Sequence, residues 1–161
     1  MESDTIRIRH AVEADVDTIV SFNIEMARET EGIALPRSRL TDGVNAMFAD
    51  NTKGFYIVAE CGGKVVGQAM ITYEWSDWRN STFWWIQSVY VLPQYRRTGV
   101  FRALFGHIKL MAKRASNVCG LRLYVEQNNH TAKRVYESLG MEECHYDLRE
   151  MPLGQQHHAD R

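Results

Sequence analysis

The stretch from Phe83 to Ala115 constrains the fold more than any other part of the chain. Residues 83–92 are the most strand-forming run in the sequence, and Pro93 ends it. A short basic turn containing Gln94, Tyr95, Arg96, Arg97 and Thr98 follows. From Gly99 the spacing predicts a long helix with Phe101, Leu104, Phe105, Ile108, Met111, Ala112 and Ala115 on its apolar face. A strand running through a glycine turn into an amphipathic helix requires a sheet for that helix to cover, which places the chain among α/β folds.

The same turn has a chemical character. Amides at the start of a helix lack intrachain acceptors and point outward, and the helix dipole adds positive potential there. Gly99 allows close backbone approach, and Arg96 and Arg97 supply charge suited to phosphate oxygens. A pyrophosphate is the natural occupant; the alternative is a plain helix start whose arginines are solvated. Other phosphate-binding loops fit less well. No Walker sequence is present, since the lone Gly63-Lys64 pair falls in a hairpin turn, and no GxGxxG occurs.

Elsewhere the periodicity predicts a short strand over residues 5–10 and a helix from about Asp15, its N-cap, through Val16, Ile19, Val20, Phe22, Ile24 and Ala27 to Gly32. Pro36 opens a second helix with Leu40, Val44, Met47 and Phe48. Strands are expected over residues 55–61 and 65–73, joined by Gly62-Gly63. A polar loop over 75–81 leads into the strand before Pro93. After the long helix come a strand over 121–126, a helix over 129–139 closed by Gly140, and a last strand over 144–149.

A chain of 161 residues with 45% hydrophobic and 24% charged residues suits one domain over 1–152, with a polar tail over 153–161. The tail's adjacent His157 and His158 lack partners at metal-ligand spacing, as do His10, His107, His130 and His145. The net charge of -1 gives no field for recruiting nucleic acid or an anionic membrane. Residues 1–10 lack the apolar stretch of a signal peptide, no run is long enough to span a membrane, and the three cysteines form no disulfide framework. A cytoplasmic protein is the expectation.

Two separated signatures carry a resemblance. Arg96-x-x-Gly99-x-Phe101 follows a strand ending at Pro93, and Asn129, Ala132, Tyr136 and Gly140 fall at the spacing Asn-x-x-Ala-x-x-x-Tyr-x-x-x-Gly. In both position and order the chain resembles the GNAT superfamily of N-acetyltransferases over residues 5–149. It departs at Phe101, where the family has a small residue, and at Met141, where it has phenylalanine. The resemblance implies a mixed, mostly antiparallel central sheet with splayed middle strands and about four helices, acetyl-CoA (coenzyme A) as cofactor, and a homodimer. It assigns the main chain of Val89, Tyr90 and Val91 to the pantetheine arm. The amides from Arg97 through Thr98, Gly99, Val100 and Phe101 to Arg102 would hold the pyrophosphate, with Phe101 turned inward. Asn129 would meet the pantetheine or cap its helix, Val89 N–H would serve as oxyanion donor, and Tyr136 as general acid.

The acceptor implied is a primary amine, on a small molecule or a peptide. Glu74 and Glu126 are the candidate carboxylates for a base, while Gln87 and Ser88 stand where related diamine acetyltransferases carry acids. Glu74, Trp75, Asp77 and Trp78, with Glu25, Glu29 and Glu31 nearby, suggest a cage for a cation; the rival assigns Trp78, Trp84 and Trp85 to the core or an interface. The alternative function is a non-catalytic acyl-CoA-binding regulatory module, which would dispense with Tyr136. No serine-hydrolase elbow occurs.

Overall fold

A computed structural model describes residues 5–154, and its contacts divide the chain into two compact units, Met1–Leu123 and Tyr124–Arg161. The first carries strand β1 (Arg7–His10), helices α1 (Val16–Glu31) and α2 (Arg37–Ala49), strands β2 (Gly54–Cys61), β3 (Lys64–Ser76) and β4 (Ser81–Val91), helix α3 (Val100–Arg114) and strand β5 (Val118–Leu123). The strands form one sheet in the order β1-β2-β3-β4-β5. All pairs are antiparallel except β4 with β5, which are parallel because α3 is the crossover between them. The second unit holds helix α4 (His130–Ser138). The mixed, mostly antiparallel sheet and four helices are those the sequence implies. No helix among the described residues is long and apolar enough to cross a membrane.

Helices α1 and α2 bury Ile19, Val20 and Val44 with Tyr56 and Val58 of β2, and Met70 of β3 packs against this cluster. Val100, Leu104, Phe105, Ile108 and Ala112 form the buried stripe of α3. Each valine, isoleucine, leucine or phenylalanine among them, taken fully out of water, contributes roughly 1.5–3 kcal/mol. Gly62 and Gly63 both have positive φ, as a two-residue hairpin turn needs. Gly32 closes α1 in the left-handed conformation.

Four expectations change. Residues 144–149 form no strand; Tyr146 and Leu148 stand exposed, and the described part of the second unit contains no other strand to pair with them. Alternation makes a strand only where a neighbouring backbone completes the ladder. The strand expected over 121–126 is β5, three residues earlier at each end. Gly120 lies within it because the Phe83 ring crosses there, 2.8 Å from where a Cβ would stand. The loop over 75–81 shrinks to residues 77–80, because β3 continues to Ser76 and pairs with Ser81. Asp15 stands at the N-cap of α1, but its side chain makes no capping bond to the helix. It accepts from Val12 N–H at 2.8 Å and from both Arg9 Nη atoms at 2.7 and 3.0 Å, while Arg9 also reaches Glu60 at 2.8 Å.

That network ties β1 to β2 and to the entrance of α1. The Arg9 guanidinium holds the Asp15 carboxyl below its ordinary value, against burial, which pushes the other way. A depressed carboxylate contributes stability that is present above its unfolded value of about 3.9 and is lost as pH falls through the folded one. Asp15→Asn is therefore expected to cost about 2 kcal/mol at neutral pH. Thermal melts at pH 7 and pH 3 check this, because the gap between variant and wild type should narrow in acid.

Candidate active site

Strand β4 pairs with β5 only from Thr82 to Ile86; beyond Ile86 it continues to Val91 with β3 as its neighbour. Past Ile86 β4 is thus splayed from β5, and the open β4 edge leads to the start of α3. Within that segment the β3–β4 register shifts. Gln87 faces Met70 and Tyr90 faces Gln68, so Ser88 and Val89 together oppose Ala69. This is a β-bulge, and Ser88 takes φ +50° within it. Leu92 N–H donates to Val66 C=O at 2.9 Å, towards β3. Strand alternation then turns the peptide groups of Val91 and Val89 to the open edge and that of Tyr90 to β3.

The turn after Pro93 brings three features together. Arg97 has φ +64° and Gly99 φ +92°. The first helical bond of α3 runs from Ala103 N–H to Gly99 C=O, so the amides of Val100 and Arg102 precede the ladder. A Cβ on Gly99 would meet nothing within 4 Å. Arg97, Thr98 and Arg102 are exposed, whereas Val100 is buried over Gly67, where a Cβ would stand 3.0 Å from Val100 Cγ1. Gly67 therefore lets the helix start lie close against β3. Phe101 is half-buried with its ring 6.2 Å from that of Phe105, on the apolar side of α3.

Arg96 does more than the turn's charge suggested. Its Nε donates to Val91 C=O at 2.9 Å, its Nη2 to Glu29 at 2.7 Å, and its guanidinium lies 5.4 Å from the Tyr90 ring centroid. The Tyr90 hydroxyl shares Glu29 at 3.3 Å. One carboxylate at the end of α1 thus holds both the turn and β4. Burial and the Glu29 charge push the Tyr90 phenol up.

Farther along the splayed strands, Gln87 Nε2 donates to Thr72 Oγ1 at 2.5 Å. Glu74 accepts from Arg122 Nη1 at 2.6 Å and from Trp85 Nε1 at 3.4 Å, and the Arg122 guanidinium lies 3.6 Å from the Phe83 ring centroid. Glu74 is thus an ion-paired residue within β3, opposite Phe83. Trp84 is buried in the core, while Trp75 and Trp78 are exposed.

In the second unit, Asn129 caps α4, its Oδ1 accepting from Ala132 N–H at 3.0 Å. Tyr136 lies on that helix, half-buried, and burial pushes its phenol up. Gly140 has φ +90° just past the helix end. Glu126 lies beyond β5, where its carboxylate accepts from Asn128 N–H at 2.8 Å and organises the turn.

Sequence reasoning missed Glu29 as a brace, and Asn23 and Gln68, both buried polar residues. Gln68 carried a signal, being a carboxamide inside the apolar run Val65, Val66, Ala69, Met70. Such a group must find partners when buried.

The acetyltransferase (GNAT) family pattern matches residues 21–141. A curated N-alpha-acetyltransferase of Sulfurisphaera tokodaii is 30% identical over 146 residues, covering 85% of this chain and 80% of that protein. A structure described as a possible acetyltransferase from Clostridium difficile 630 is 51% identical, with a TM-score of 0.88 over 93% of this chain and 99% of the other. A predicted acetyltransferase from Clostridium acetobutylicum, solved with acetyl-CoA, shares the fold at 21% identity and a TM-score of 0.75, over 95% of this chain and all of that one. The splayed strand, the glycine turn and the matched pattern together lead to one conclusion: the chain belongs to the acetyltransferase (GNAT) family.

Proposed function

We propose that this protein is an N-acetyltransferase that uses acetyl-CoA to acetylate a primary amine. The observation that carries the proposal is the release of β4 from β5 after Ile86, beside the open glycine turn of α3. An unpaired strand edge suits the amides of a pantetheine arm, as an added strand would. A helix start with glycine at its cap suits a diphosphate. The residues therefore fit the group. Val89 and Val91 would pair with the arm, and the amides from Arg97 to Arg102 would hold the diphosphate. Asn129, as the cap of α4, sets that helix's first turn.

Bound there, acetyl-CoA supplies an activated acetyl thioester. We assign Val89 N–H to donate to the thioester oxygen as negative charge builds on it, a role that removes about 2.7–4 kcal/mol from a barrier of this kind. The amine must attack unprotonated, which at pH 7 costs roughly 4–5 kcal/mol for a group of pKa near 10.4. Glu74 stands opposite Phe83, six residues of strand before Val89, or about 20 Å. Glu74 is also neutralised by Arg122 at 2.6 Å, so we give it no part in the proton transfer and assign the amine's proton to water. Acetyl transfer would form the C–N bond and break the C–S bond, and we assign Tyr136 to protonate the thiolate that would leave.

The relative's name points to an α-amine, so peptide N-termini belong in the acceptor panel beside polyamines and free amino acids. Calorimetry with coenzyme A is expected to show one site. Gly99→Val places a side chain in the open space at positive φ and should weaken binding by tenfold or more, a backbone cost of ~1–2 kcal/mol adding to the steric one. No heat with the wild-type protein, and no thiol release with any amine in the panel, would sink the proposal.

A further inference from the structure

The β4 bulge decides which peptide group reaches the open edge. Without it, the pairing of Met70 with Gln87 would continue as Ala69 with Ser88 and Gln68 with Val89. A slip of one residue turns every following group to the opposite side. Val89 N–H would then face β3 and Tyr90 N–H the splay, and the Tyr90 side chain would leave Glu29.

The bulge is unfavourable on its own. Ser88 is not glycine, and a left-handed conformation is strained for a residue with a Cβ. Gln68 offsets this. Its Nε2 donates to Ser88 C=O at 3.0 Å and to Asn23 Oδ1 at 2.8 Å. The side chain is completely buried, and Asn23 is buried beside it. The amide is used at one end only, because Gln68 Oε1 meets no protein partner among the described residues. A buried acceptor left this way is destabilising, so an apolar residue would fill this part of the core at lower cost. What Gln68 provides and an apolar residue would not is the bond to Ser88.

We propose that Gln68, oriented by Asn23, is a positioning residue that locks the Ser88–Val89 bulge and thereby presents Val89 N–H at the splayed edge. The inference rests on the assignment of Val89 N–H to the thioester oxygen. It adds that a side chain on β3, through no contact of its own with the reacting atoms, determines whether that donor exists.

The test is Gln68→Met, which keeps length and flexibility but removes the donor. Turnover is expected to fall by ten- to a hundredfold, while KM for acetyl-CoA stays within about threefold. Adding Ser88→Gly removes the left-handed penalty and should restore part of the lost turnover, which a role confined to core packing would not produce. Should Gln68→Met fail to fold, Asn23→Ala unsettles the same lock from its far side and should give the same split between kcat and KM. Amide hydrogen exchange at Val89 and Tyr90, read in the absence of any substrate, should change in the variant relative to wild type. Wild-type turnover in Gln68→Met, or an unchanged exchange pattern there, overturns the proposal. A wild-type protein that binds no coenzyme A would instead defeat the transferase reading, and the exchange pattern would still decide whether Gln68 holds the bulge.

Discussion

Tyr136→Phe is expected to lower turnover by about a hundredfold or more while leaving coenzyme A affinity within about twofold. A positioned proton donor contributes on the order of 10²–10⁴ in rate, and removing one oxygen from a half-buried ring leaves its packing in place. The sign of the pH dependence follows from the phenol's environment. Burial raises its pKa, so the protonated form, the one able to donate, persists through neutral pH and past the ordinary value of about 10. A profile of kcat against pH should therefore show no alkaline fall from this group below about pH 10. Steady-state kinetics with calorimetry on the same preparation separates the outcomes. Full turnover in the variant would take the acid role from Tyr136, and an equal loss of affinity would make it a binding residue.

Gly54→Ala is expected to be the most destabilising single-methyl change in the first unit. Gly54 opens β2 with φ +146°, a region open in practice to glycine alone, and a Cβ there would stand 1.8 Å from the Ile71 carbonyl oxygen of β3. Neither side can yield cheaply, because the obstacle is paired backbone in the middle of a sheet. A loss above about 4 kcal/mol belongs to the exceptional class of point changes and approaches the whole stability of a domain this size. Expression of soluble Gly54→Ala with a melting temperature within a few degrees of wild type would contradict this. Gly62→Ala is the contrasting control, since nothing lies within 4 Å of its Cβ and only the turn's positive φ is strained.

Most of the fold was legible because its elements are specified locally. The apolar run of β2, the Gly62-Gly63 turn and the stripe from Leu104 to Ala112 each depend on a few neighbouring residues. The turn at Gly99 was legible for the same reason. Where the sequence misled, the cause was an interaction between distant segments. The start of β5 depends on where Phe83 of β4 crosses Gly120, which no local propensity encodes. Residues 144–149 alternate like a strand, but pairing is a property of two segments, and alternation describes only one. In the same way Arg96 and Glu74 looked free from sequence, because Glu29 and Arg122 are their partners at separations of 67 and 48 residues. The Gln68–Ser88 bond belongs to this group as well, as does the bulge it supports.

The brace at Glu29 carries a mechanical consequence. One carboxylate grips the arginine of the α3 turn and the tyrosine of β4, and Arg96 in turn grips the last carbonyl of that strand. Three segments that are remote in sequence therefore form one rigid corner. Any swing of the end of α1 must either drag the turn before α3 with it or break two or three bonds at once.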